Sequence, residues 1–142
     1  RDCVAYNPAK PSRIMTELLK RNEFDFIPIQ DMNPQQIAEL LRSVKLYVDF
    51  GDFPGPERIP KEAAYNGAAV IVAKKNAAIN DFDVNIPTEY KLDDYDDIKL
   101  VSDKIRFMLD NYQNTFHDFD VFRKQIDGLE QNFISTIERI WQ

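Results

Sequence analysis

The chain has 142 residues, 44% hydrophobic and 30% charged, with a net charge of −6. That mixture suits one globular domain with a core of its own and excludes a disordered chain. No run of Lys or Arg interrupts the acidic background, which excludes a dedicated nucleic-acid or anionic-membrane surface but leaves room for a small basic site for a phosphorylated small molecule.

The only cysteine, Cys3, rules out an intrachain disulfide and fits a reducing compartment. The longest apolar run, Ala68 to Ala73, is far too short to span a bilayer. The sequence begins at Arg1, directly before a predicted strand, and so reads as a piece of a longer protein.

Cys3 to Tyr6 is predicted as a strand, stopped by Asn7-Pro8. Ser12 is suited to cap a helix over Arg13 to Arg21, with Ile14, Leu18 and Arg21 on one side. Phe24 to Ile29 is the second strand. Asn33-Pro34 starts the next helix, with a capping side chain followed by proline at the first helical position. Ile37, Leu40, Leu41 and Val44 give it an apolar face. Lys45 to Phe50 is the third strand, and a loop rich in glycine, proline and charge follows it. A short helix, Pro60 to Asn66, ends at Gly67 as its C-cap. Ala68 to Ala73 is the fourth strand, and its unbroken apolar run implies cover on both faces. A polar loop over 74–88 leads to a short fifth strand, Glu89 to Leu92.

Alternating strands and helices predict an α/β fold, a Rossmann-like doubly wound parallel sheet of about five strands. A flavodoxin-like order sets strands one and three side by side, so the loops after Tyr6 and Phe50 share one crevice. Two C-terminal amphipathic helices follow. The first is Tyr95 to Tyr112, with Ile98, Val101, Ile105 and Leu109 in its stripe. The second carries Phe119, Phe122, Ile126, Leu129, Phe133, Ile137 and Ile140. Each can cover a sheet face; alternatively the terminal helix over 114–142, with Trp141, packs partly on a second half of the molecule. The chain is expected to be one domain, 1–142.

The stretch Pro60 to Ile71 reads Pro-x-Glu-Ala-x-x-x-Gly-x-x-Val-Ile. It comes after a strand that ends in a lysine turn (VAYNPAK), a strand ending in Pro-Ile, the helix QQIAELLRSV and the strand KLYVDFG. In that order, over roughly residues 3 to 112, the chain resembles the C-terminal, donor-binding half of a retaining GT-B glycosyltransferase, of the group 1 or family 4-like kind. The resemblance implies transfer of a sugar from a nucleotide-diphospho-sugar donor to a glycan or lipid acceptor. The acceptor would be bound mainly by an N-terminal domain outside this chain. It also implies retention of anomeric configuration; the expected location is cytoplasmic, with any attachment to the inner face of the membrane made through the part outside this chain. No metal, no other cofactor and no nucleic acid is expected as a partner.

The resemblance sets Lys10 against the donor diphosphate and Glu62 on the ribose hydroxyls. Asn7, Gly51, Gly55, Glu57 and Arg58 are further candidates for the same donor site, the glycines for the backbone N–H groups that the resemblance sets near the phosphates. The physics agrees. A helix start preceded by glycines offers unpaired N–H groups to an anion, Lys10 and Arg58 add countercharge, and an ionised Glu62 accepts from hydroxyls. Three places depart from the family pattern, one of them the loop Lys74 to Ala78, which lacks the glycines common there. Pro54 stands where the first of two glutamates belongs, and Ala5 where an arginine precedes the lysine. Asp49, Asp52 and Glu57 are acidic neighbours that could replace that glutamate.

Plainer roles compete for the same residues. Glu62 can stabilise a helix dipole, Lys10 can be a solvated loop lysine, and Arg58 can pair with Glu57 or Asp52. His117, the only histidine, reads as a surface or capping residue beside Asp118, and a zinc site is not expected. Asp93, Asp94, Asp96 and Asp97 lack the spacing of a calcium loop and read as charge at a helix start. The competing function is a non-catalytic α/β nucleotide-binding or assembly module.

Overall fold

The computed structural model describes residues 3–8, 12–50, 58–73, 86–87, 90–92 and 97–125. Five strands form one all-parallel sheet: β1 (Cys3–Tyr6), β2 (Asp25–Pro28), β3 (Leu46–Asp49), β4 (Ala69–Ala73) and β5 (Lys91–Leu92). Their order is β2-β1-β3-β4-β5, the flavodoxin-like order expected. The described helices include α1 (Arg13–Arg21), α2 (Pro34–Ser43), α3 (Arg58–Tyr65), α4 (Ile98–Asp110) and the single turn α5 (Tyr112–Thr115).

Local chemistry accounts for the helix ends. Ser12 sits in extended backbone, and its side chain accepts from the Met15 amide at 3.2 Å. Asn33 and Gln36 form a reciprocal capping box ahead of Pro34. Asp97 caps α4 through the Leu100 amide, so this carboxylate does serve a helix start; Asp93, Asp94 and Asp96 lie outside the described residues. Gly67 closes α3 with φ +97°. Its amide bonds Ala64 and the Ala68 amide bonds Ala63, the paired bonds of a Schellman turn. An L-residue there would cost roughly 1–2 kcal/mol in backbone strain alone.

Packing follows from the apolar pattern. All of β3 and β4 is buried, and β4 (AVIVA) is covered on both faces as its composition required. α1 packs with α4 and α2 with α3, one pair on each side of the sheet. Ile14, Met15 and Leu18 form the buried face of α1. Arg21, expected on that side, turns outward to bond Glu23. α2 buries Leu41 fully and Ile37 and Leu40 in part.

The two C-terminal stripes are broken differently from expectation. α4 stops at Asp110 because the chain bends at Asn111, whose side-chain and backbone N–H groups both return to the Phe107 carbonyl. The bend sends the chain beneath the amino edge of the sheet. Tyr112 donates its hydroxyl to the Gly67 carbonyl, and a 3-10 turn (Phe116–Phe119) follows. Phe119 stacks on Tyr90 with ring centroids 5.0 Å apart. Residues 120–125 are helical, and Arg123 reaches the carbonyl end of α3. The rest of the terminal stripe, with Trp141, lies outside the described residues.

A cluster between α1 and α4 gives a pH-dependent term. Glu23 accepts from the Arg21 guanidinium and from Ser102 Oγ at 2.9 Å. These bonds, that of Arg21 foremost, hold its carboxyl below the ordinary carboxylate range. A lowered folded-state pKa stabilises the fold above the unfolded value of about 4.3, and that contribution disappears as pH falls through the folded value. Glu23→Gln is therefore expected to flatten the acid side of a plot of chemical-denaturation stability against pH while leaving its shape above pH 6 unchanged. An unaltered acid limb would contradict the assignment.

Candidate functional site

The strand order fixes where a ligand crevice belongs. From β1 the sheet grows to β2 on one side and to β3 on the other. The chain therefore leaves β1 and β3 in opposite directions at their carboxyl ends, the switch point where open α/β sheets take ligands.

Register shows which side chains meet there. Val4 pairs with Leu46, Ala5 with Tyr47 and Tyr6 with Val48. One step further, Asn7 and Asp49 stand abreast at the carboxyl edge. Asp49 pairs with Val72 on β4, and Val72 with Lys91 on β5. Asn7, Asp49, Val72 and Lys91 thus form one row across the sheet. Partners in a parallel register point to the same face. Lys45 identifies that face, since its Nζ lies 3.4 Å from the Leu109 carbonyl of α4. Tyr47 and Asp49, two and four residues on, share the α1/α4 side.

The row is unusual in its burial. Asp49 is 8% exposed and Lys91 4%, and they are the only Asp, Glu, Lys or Arg that are buried among the described residues. A buried charge costs several kcal/mol unless it is matched. Tyr47, fully buried two residues earlier on the same face of β3, donates its hydroxyl to Asp49 Oδ2 at 3.0 Å. Lys91 brings the opposite charge to the same row.

The residues proposed from sequence divide as follows. Asn7 is half-buried at the end of β1, beside the switch point. Lys10, Gly51, Gly55 and Glu57 lie outside the described residues, as does the side chain of Arg58. The Arg58 backbone begins α3, two residues before the expected start at Pro60. That shift moves Glu62 into the second turn, and the first turn carries no acidic residue. Macrodipole stabilisation fades within the first turn, so it does not account for Glu62. The Glu62 side chain is half-buried, and its carbonyl accepts from the Asn66 amide at 3.0 Å and from Asn66 Nδ2 at 2.8 Å. His117 is an exposed surface residue that pairs with Asp120 at 3.0 Å. The His117 bond is the main cause that lowers the Asp120 carboxyl below its ordinary value.

Lys91 and the burial of Asp49 were not legible beforehand. An acid inside the run LYVDF was the only signal for one, and a lysine among acidic neighbours gave none for the other.

Two recesses lie elsewhere. A groove of about 510 Å³ runs along the outward face of α4, lined by Lys99, Leu100, Lys104 and Phe107. A polar recess of about 330 Å³ at the amino edge is lined by Lys45, Leu109 and Tyr112. Neither holds the buried charges, and neither lies at the carboxyl ends of the strands. Among the described residues no group of His, Cys, Asp or Glu has the arrangement of a metal site, and no helix is long and apolar enough to cross a membrane.

This architecture defines a Rossmann-like, doubly wound α/β protein with its switch point between β1 and β3. Comparison with protein-family models, with curated proteins and with solved structures found no match for this chain.

Proposed function

We propose that the chain is the nucleotide-diphospho-sugar-binding half of a glycosyltransferase that transfers a sugar to a glycan or lipid acceptor. One observation carries the reading. The Pro60 to Ile71 block takes in most of α3, a Schellman turn at Gly67 and the start of the buried strand β4, and α3 is the next described element after β3, the strand beside the switch point. The amino end of α3 lies at the same carboxyl edge as Asn7 and Asp49, because α3 runs back against the strands it connects.

In this reading the donor diphosphate sits against the first amides of α3, with Lys10 and Arg58 as countercharge. Negative charge builds on the diphosphate as the glycosidic bond breaks, and these fixed groups stabilise it. Glu62 accepts from the ribose. An N-terminal half supplies the acceptor site, in the cytoplasm at the inner face of the membrane.

Calorimetric titration with UDP, GDP and their sugars tests the reading, together with the melting temperature. Ligand at about 100 times its Kd should add roughly 2.7 kcal/mol of stability. No binding at millimolar nucleotide would contradict it. A second reading, a non-catalytic assembly module, draws on the exposed Leu100 and Phe107 along α4. It predicts self-association in sedimentation and a melting temperature indifferent to nucleotide.

A further inference from the structure

The cross-sheet row at the carboxyl edge has a chemical polarity of its own. Asn7 and Asp49 stand at the switch point, and Lys91 lies two strands further along, past Val72. A carboxylate at this edge repels phosphate and accepts from hydroxyl groups. An Asn side chain beside it both donates and accepts, a combination that suits neighbouring hydroxyls. Pro54, where the resemblance expects a carboxylate, has no side-chain acceptor.

We infer that Asp49, with Asn7 beside it, takes hydroxyl groups of the nucleotide-sugar ligand, supplying from the end of β3 the acceptor that Pro54 lacks. Tyr47 is a positioning residue, because its hydroxyl holds Asp49 Oδ2 from two residues earlier on the same face of β3. The assignment rests on the nucleotide-sugar reading and deepens it. Two parts of such a ligand carry hydroxyls, the ribose and the transferred sugar, and they are separated by choice of ligand.

The test is calorimetry on the 142-residue chain and on Asp49→Asn, with UDP, 2′-deoxy-UDP and UDP-glucose, and the guanosine series in parallel. A charged hydrogen bond of ordinary strength corresponds to a change of about 10- to 100-fold in Kd. If Asp49 holds the ribose, wild type should favour UDP over 2′-deoxy-UDP by such a factor, and Asp49→Asn should lose the preference. If it holds the sugar, Asp49→Asn should weaken UDP-glucose and leave UDP unchanged. Equal affinities of the two proteins for every ligand would overturn the assignment and leave the nucleotide reading standing. No nucleotide binding by wild type would overturn both. Should Asp49→Asn fail to fold, the carboxyl carbon of Asp49 in wild type decides the matter by NMR. Its resonance should move on saturation with nucleotide, and a fixed resonance would overturn the assignment.

Discussion

Replacing Phe119 with alanine is expected to destabilise the chain by about 3–5 kcal/mol, the usual cost of emptying a buried aromatic site. Phe119 is fully buried, and its ring stacks on Tyr90 at an interplanar angle of 22°. Tyr90 immediately precedes β5, and its own hydroxyl bonds Asp118 at 2.5 Å. The substitution therefore opens a cavity between the sheet's last strand and the segment that crosses beneath it. Urea denaturation followed by circular dichroism measures the effect. A loss under 1 kcal/mol would mean that this crossing is peripheral to the core.

Arg123 is the second large term. Its Nε donates to the Ala64 carbonyl at 2.6 Å and one terminal nitrogen donates to the Phe116 carbonyl at 2.7 Å. The guanidinium lies 4.1 Å from the Phe116 ring centre. Burial lowers its pKa, and Asp120 opposes that shift through a hydrogen bond and its charge. Arg123→Met keeps the stem and removes these bonds, so a loss of about 2–3 kcal/mol is expected at charged hydrogen-bond strengths. Arg123→Lys should recover only part of it, since an ammonium cannot hold both carbonyls in the planar geometry of the fork. Equal stability of wild type and Arg123→Met in the same denaturation assay would contradict the clamp.

The legible part of this fold was the part written in local chemistry. Ser12, Asn33-Pro34 and Gly67 announced helix ends because capping and left-handed backbone depend on neighbours a few residues away. The run Ala68 to Ala73 announced a buried strand because no polar side chain interrupts it. Alternation announced a parallel sheet with helical crossovers, but it does not fix the order of the strands, which was taken from the flavodoxin-like pattern.

The illegible part depends on residues far apart in sequence. Asp49, Val72 and Lys91 share a row only through two registers, and no spacing reveals a register. The bend at Asn111 breaks a helical stripe that continues through Tyr112, since Tyr112 is drawn to Gly67, 45 residues earlier. Arg123 reads as a polar position on an amphipathic helix until Ala64 and Phe116 are seen around it. Asn7 and Glu62 were named as expected site residues from the sequence, whereas the burial of Asp49 and Lys91 was not read from it.

The central claim is that the carboxyl edge between β1 and β3 is a nucleotide-diphosphate site. Titrating the isotope-labelled chain with UDP and with GDP, and mapping amide shifts, tests it most directly. The account predicts saturable shifts concentrated at Asn7, at Asp49 and Phe50, and along Arg58 to Glu62, with the α4 face around Leu100 and Phe107 undisturbed. Shifts that gather on the α4 face and spare Asn7 and Asp49, or no shifts at millimolar nucleotide, would contradict it.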